Sequence, residues 1–261
     1  MKLNSPTLSR RHLLVLGGSA LATGAFAQSP PDRPVATYGR RALTCDNTGV
    51  LTSDGALRLA QPVDFERSTT CKMIPDSFEG PYFICVGNRG KAIAAGRPGL
   101  PLTVAFRVQS PDCAPLSGAV LDIWACDAEG YYSGHDVSPD VPVSGCRHKK
   151  PDTPDRFCRG TLAADADGIV EFDTVYPGFY VGRAIHIHFK VHWQGRSYLT
   201  NQSLFSEAIN AQVMQMAPYN QPRAVKRRSN ASERRWGLAE FSVVQRGAGL
   251  LAMQNVVLPS A

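Results

Sequence analysis

The sequence predicts an all-β fold, an antiparallel β-sandwich with long loops and an irregular N-terminal arm. Three observations predict it. Apolar residues recur with a period of two, Val104, Phe106 and Val108 against Thr103, Ala105 and Arg107, and again Val170, Phe172 and Thr174 against Glu171 and Asp173. That period belongs to strands with one face on a core and the other toward solvent. Turn signals punctuate the strands at Asp112-Cys113-Ala114-Pro115, Asp127-Ala128-Glu129-Gly130, Asp165-Ala166-Asp167-Gly168 and Pro177-Gly178, the spacing of a sandwich. Finally, 23 Gly and 19 Pro stand beside only 19% charged residues, a balance that suits short strands better than a helical bundle. The 43% apolar share excludes wholesale disorder and a multi-span membrane protein.

Taken in order, the chain opens with an export signal over residues 1–27. Arg10-Arg11 precedes an uncharged run, Leu13 to Ala27, that ends in Ala25-Phe26-Ala27, a small-x-small cleavage site. The paired arginines favour the twin-arginine route over an ordinary secretory signal. The run is too short for the roughly 20 residues that span a bilayer. The expected mature protein is therefore periplasmic or extracellular, without stable membrane insertion. Residues 28–75 are rich in Pro, Thr and Ser and read as an extended arm. Residues 76–261 hold the sandwich, with one helix from Phe205 to Met216 and closing strands at Phe241–Val244 and Gln254–Leu258.

Charge and cysteines narrow the function. The net charge of +6 falls to +3 once Lys2, Arg10 and Arg11 leave with the signal, and no nucleic-acid motif is present. The basic run from Arg223 to Arg235 reads as a solvated loop. Seven cysteines in an exported chain should partly pair. Cys146 and Cys158, flanking a polar segment, are the best candidates for a local bridge. No C-x-x-C occurs.

The chemistry gathers in Tyr176-Pro177-Gly178-Phe179-Tyr180-Val181-Gly182-Arg183-Ala184-Ile185-His186-Ile187-His188-Phe189. On a strand His186 and His188 share a face, while Ile185, Ile187 and Phe189 take the other. Two imidazoles side by side begin a transition-metal site. Two hydrogen-bonded structural histidines, or a copper or zinc site, remain open on this pattern alone. Tyr180 and Arg183 lie just upstream, and Tyr131-Tyr132 follows the turn ending at Gly130. A phenol titrates near pH 10 and suits a divalent ion poorly. A ferric ion can deprotonate it outright.

These motifs together resemble the intradiol ring-cleavage dioxygenases, in their protocatechuate-dioxygenase-like branch. The resemblance runs from Glu79-Gly80-Pro81-Tyr82-Phe83 through Leu116–Trp124, Cys126–Gly134, Arg159-Gly160-Thr161 and Asp167-Gly168 to the Tyr-Pro-Gly-Phe-Tyr…His-Ile-His-Phe segment and about Phe205. It implies a non-haem Fe(III) centre held by Tyr132, Tyr180, His186 and His188. Tyr132 is preferred to Tyr131 because the family's ligand stands two places after the turn glycine. It further implies Arg183 as the active-site arginine, Gln202 as a pocket glutamine, and Tyr180 as the ligand that leaves the metal and accepts a substrate proton. The implied partners are O₂ and a small aromatic diol, cleaved between its two hydroxylated carbons to a muconate-type dicarboxylate. A homo-oligomer is compatible with this reading.

Two rivals remain, an exported non-catalytic β-sandwich binding module and a periplasmic copper or zinc site on His186 and His188. Trp124 reads as core and His192 as a surface or strand-end residue. His135 and His148 read as loop residues near the site mouth, more exposed than functional. No helical period is sustained between residues 28 and 100, so the helical N-terminal dimerisation domain of the catechol-specific branch is not expected.

Overall fold

A computed structural model of the chain describes residues 45–66, 71–85, 90–143, 148–233 and 237–259. The expected signal at 1–27 and the first part of the arm lie outside these residues. Among the described residues the alternating segments become β1 (Pro101–Gln109), β2 (Val120–Trp124), β3 (Arg159–Ala163), β4 (Ile169–Val175), β5 (His186–Trp193) and β6 (Arg196–Leu204). Helix α1 (Glu207–Val213) follows, then β7 (Ala239–Glu240), β8 (Ser242–Arg246) and β9 (Gly249–Val257). They form two sheets, β4-β1-β9-β8 and β3-β2-β5-β6-β7.

The sheets meet across one apolar core. Val104, Phe106 and Val108 of β1 share it with Ile187, Phe189 and Val191 of β5 and with Leu121 and Ile123 of β2. The Phe106 and Phe189 rings lie 5.0 Å apart at its centre, and burying each stabilises the fold by about 2–3 kcal/mol. Gly160 on β3 admits this packing, since a Cβ there would meet the Phe172 ring at 2.6 Å.

Three expectations change. The sheets are mixed rather than purely antiparallel, because β1–β9 and β6–β7 pair in parallel. The hairpin with β8 sets the direction of β9, so where β9 covers the open edge of β1 the two strands run the same way. The second face of β1 is not solvent-facing either. Ala105 is fully buried with Ile169, Leu251 and Met253 beneath Ala60 and Phe65 of the arm. The arm is held there by polar anchors. Leu59 and Ala60 donate their amides to the buried Glu171 carboxylate at 2.9 and 2.8 Å, and Arg58 pairs with Asp165 and Asp167. An alternation count cannot see a cover supplied by Ala60 and Phe65, far upstream in the chain.

The third change concerns the cysteines. Disulfides join Cys45 to Cys85 and Cys71 to Cys113, tying the arm to the domain. Cys158 is not bridged as expected; it is a buried free thiol, like Cys126. Its backbone is locked into the sheet, donating to Ile93 O at 2.7 Å and accepting from Ala125 N at 3.1 Å. Burial pushes its thiol up to about 11. Flanking one polar segment suggests a local bridge, but it says nothing of which side of the chain a sulfur takes. Cys146 lies outside the described residues.

Helix α1 is shorter than the predicted 205–216. Ser206 caps it, accepting from Ile209 N at 3.4 Å, and Phe205 instead packs on Tyr176 at 4.4 Å. The basic run after it is paired rather than freely solvated: Arg223 engages Asp140 and Arg227 engages Glu207. Among the described residues no helix is long and apolar enough to cross a membrane.

Candidate active site

The two-residue period of β5 separates core from chemistry. Ile187, Phe189 and Val191 enter the core; His186, His188, Lys190 and His192 occupy the opposite face, and all four are buried. His186 Nε2 and His188 Nε2 approach to 3.0 Å. His186 Nδ1 donates to Ala184 O at 2.7 Å, which leaves Nε2 as the lone-pair nitrogen and fixes the ring's orientation. The Trp124 indole stacks on His188, centroids 4.8 Å apart and planes 10° from parallel. Trp124 is thus core, as expected, and also the backing of an imidazole.

Two turns deliver the phenols. Asp127 organises the first: its Oδ1 accepts from Glu129 N and Tyr131 N at 3.0 and 2.9 Å, and its backbone carbonyl accepts from Gly130 N and Gly178 N. Gly130, at φ +97°, leaves no room for a side chain, because a Cβ would lie 2.2 Å from Phe179 O. The turn before Tyr132 and the Pro177-Gly178 turn before Tyr180 therefore interlock backbone to backbone. Tyr132 and Tyr180 come within 5.6 Å, centroid to centroid. Tyr180 lies 5.7 Å from His186 and Tyr132 6.3 Å from His188. All four expected ligands are thus neighbours. Tyr131 is instead 41% exposed.

The other expected residues also converge. Arg183 is buried and donates Nη1 to Tyr180 Oη at 2.9 Å, Nη2 to Gln202 Oε1, and Nε to Glu233 at 2.9 Å. Burial opposes its charge, but Tyr180 and Glu233 beside it outweigh that and hold the guanidinium above its ordinary pKa. Gln202 is fully buried directly opposite His188 in the β5–β6 register.

Two histidine readings are overturned. His192 is not at the surface: it is buried, its Nε2 2.8 Å from Asp122. His135 is buried against the Tyr82 ring at 5.1 Å, and burial together with Arg159 pulls it down to about 4. His148 remains partly exposed, its Nε2 2.6 Å from Glu79.

Several residues of the site were not singled out from the sequence. Glu233, the partner of Arg183, is one; nothing in a basic loop 50 residues away marks it. Tyr82 is another, stacked on Tyr132 at 4.5 Å. Arg159 is a third, buried with its guanidinium 5.8 Å from the Tyr132 ring centroid and donating to Ser133. Burial lowers Arg159 to about 10. The continued i, i+2 spacing past His188 was the available signal for Lys190.

The donor set can be tested for a metal. Among the described residues no three His, Cys, Asp or Glu side chains gather as a metal group, so an ion here must use the phenols. The Tyr132 hydroxyl is buried without a hydrogen-bond partner among the described residues, and burial holds its phenol well above the usual pKa. A buried polar atom left so costs about 1–3 kcal/mol. Two imidazoles and two phenols, one hydroxyl unsatisfied, fit a hard trivalent ion.

Comparison with known proteins bears on this arrangement. No protein-family model matches the chain. A chlorocatechol 1,2-dioxygenase of Pseudomonas sp. (strain P51) is 29% identical over 168 residues, 55% of this chain and 59% of that protein. The chain thus spans between a third and three fifths of the curated relatives it matches. An intradiol ring-cleavage dioxygenase from Tetranychus urticae superposes with a TM-score of 0.66 at 29% identity, over 72% of this chain and 95% of that one. The chain is thus similar in sequence and in fold to intradiol ring-cleavage dioxygenases. The dioxygenase domain of a carbohydrate-binding fusion protein from a cellulolytic Streptomyces adds a TM-score of 0.51 at 29% identity, over 73% of this chain and all of that one. Both superpositions support the mostly-β fold described above.

Proposed function

We propose that this chain is an exported non-haem Fe(III) dioxygenase that opens a catechol-type ring between its two hydroxylated carbons, yielding a muconate-type dicarboxylate. One observation carries the reading: two imidazoles and two phenols meet on one buried face, and one phenol hydroxyl there has no partner among the described residues. Tyr132, Tyr180, His186 and His188 would hold the ion. When bound, ferric iron supplies Lewis-acid and redox activation of the diol toward O₂.

The remaining roles follow from the chain's own groups. Tyr180 Oη, within reach of Arg183, can accept a proton from the incoming diol. The Arg183 guanidinium, held charged by Glu233 and oriented by Gln202, stands where negative charge develops on the ring and its oxygens. Tyr82, His135 and Val141 line a closely filled pocket beside Tyr132 and Tyr180, aromatic and apolar surface against which a diol ring would stack once these side chains part. Residues 45–100 form no α-helix among the described residues, which supports the single-domain branch over the one with a helical dimerisation domain.

The test is oxygen uptake by iron-loaded protein with catechol, protocatechuate and hydroxyquinol, with mass spectrometry of the products. A ring-opened dicarboxylate carrying both atoms of ¹⁸O₂ is the expected result. Iron-loaded protein that consumes none of the three overturns the reading in favour of a binding module.

A further inference from the structure

One segment touches nearly every member of the site while pairing with no strand. Phe78 O accepts from Gln202 Nε2 at 3.2 Å, and the Phe78 ring lies 6.0 Å from the Arg183 guanidinium. Gly80, at φ +75°, passes so close to His188 that a Cβ would lie 3.3 Å from its Cε1. Tyr82 stacks on Tyr132. Phe83 packs on Trp124 at 4.7 Å, and Trp124 in turn backs His188.

Glu79 points elsewhere. Its Oε1 meets Nζ of Lys190, two residues beyond His188 on the same face of β5, and Oε2 faces His148. The Lys190 ammonium is fully buried and lies 4.6 Å over the Phe83 ring. A buried ammonium without its carboxylate costs several kcal/mol. A slip of the segment by one residue would separate the pair and swing the Glu79 side chain away. The charge pair thus selects one seating of the segment, which apolar contacts alone would not.

We propose that the buried Glu79–Lys190 pair is a positioning device. It seats residues 78–83 across the histidine face and so sets the orientation of His188 and Tyr132 for metal binding. This rests on the ligand reading above; Glu79 and Lys190 act through the ligands rather than on substrate.

The experiment uses the full chain, wild type and the variants Glu79→Gln, Lys190→Met and the double variant. Amide hydrogen exchange is read on metal-free protein, and Fe(III) affinity and the visible absorption band are read by ferric titration. Glu79→Gln should raise exchange at 78–83 while β1 and β5 stay protected. It should weaken Fe(III) binding by about tenfold or more, as loss of a group that orients a metal ligand does. The double variant, which leaves no lone buried charge, should regain the wild-type melting temperature but not the Fe(III) affinity. Should Lys190→Met fail to fold, the near-isosteric Glu79→Gln still decides the matter. Wild-type exchange and Fe(III) affinity in Glu79→Gln, or recovery of both by the double variant, overturns the positioning role. Wild-type protein that takes up no Fe(III) instead overturns the ligand reading, and the inference with it.

Discussion

Replacing Tyr132 by Phe should stabilise the metal-free protein and cripple its metal binding at once. The hydroxyl is the only group removed. It is buried, and no donor or acceptor among the described residues meets it. An unsatisfied buried polar atom costs about 1–3 kcal/mol, so its deletion should return about 1–2 kcal/mol after a small loss of packing. For a domain of this size each kcal/mol shifts Tm by about 2–4 °C, so a rise of about 2–8 °C is expected in chelator-treated protein. The ring itself stays, held between Tyr82 at 4.5 Å and Tyr180 at 5.6 Å, so packing should survive. Differential scanning calorimetry of the metal-free pair gives the first number, and ferric titration followed in the visible gives the second. A residue retained at a cost to the fold because function needs it shows this opposition of signs. Tyr132→Phe protein with a lowered metal-free Tm, or with undiminished Fe(III) affinity and colour, would refute the reasoning.

Other consequences follow from the same geometry. His135 is held down at about 4 by burial and the nearby Arg159 charge, against about 6.5 when unfolded. The unfolded chain thus binds the extra proton first, so stability is full above pH 6.5 and falls as pH drops from 6.5 toward 4; chemical denaturation across that range should flatten in His135→Phe. Gly130→Ala must separate the interlocked turns, because the new Cβ would lie 2.2 Å from Phe179 O at φ +97°. A loss of about 2–4 kcal/mol in urea unfolding, together with weakened Fe(III) binding, is expected. The Cys45–Cys85 disulfide spans 40 residues, worth about 4 kcal/mol in the chain-entropy picture. A Cys45→Ala, Cys85→Ala double variant should melt about 8–16 °C lower, and an unchanged Tm would show that the arm's polar anchors suffice.

How far the site was legible depended on distance along the chain. His186 and His188 declare themselves by a two-residue period whose other half is plainly core, and Tyr180 and Arg183 lie close enough upstream to be drawn in. The choice of Tyr132 over Tyr131 came from family resemblance; in the structure the two differ because the turn organised by Asp127 buries one phenol and exposes the other. The period alone should also have carried His192 inward. Read from the sequence as a surface or strand-end residue, it instead finds a buried partner in Asp122 on β2. What no local pattern could show is contact from afar. Glu233 reaches Arg183 across 50 residues. The arm covers β1 and makes Ala105 core. The disulfides follow side-chain direction rather than closeness along the chain. The parallel pairing of β9 with β1 is likewise a matter of where the chain returns, which alternation does not encode.

The distribution of unsatisfied buried atoms adds an argument that does not depend on resemblance. Trp124 Nε1, Tyr132 Oη, His135 Nε2 and Arg159 Nη1 are all buried without a hydrogen-bond partner among the described residues. Trp124 backs His188, Tyr132 and His135 flank Tyr82, and Arg159 lies over the Tyr132 ring. These four atoms belong to one contiguous patch. Unsatisfied buried atoms also occur elsewhere, at Arg58, Thr174 and Gln254 among others, but these four adjoin one another, each at a cost on the order of a kcal/mol or more. The same patch holds buried Arg159, which has no carboxylate partner among the described residues. Arg183 beside it is matched by Glu233. An uncompensated cation beside an unsatisfied phenol is a poor arrangement for a neutral tyrosine and a good one for a tyrosinate. The Arg159 charge therefore works against the burial that keeps the Tyr132 phenol neutral, the direction that the proposed anionic donor needs.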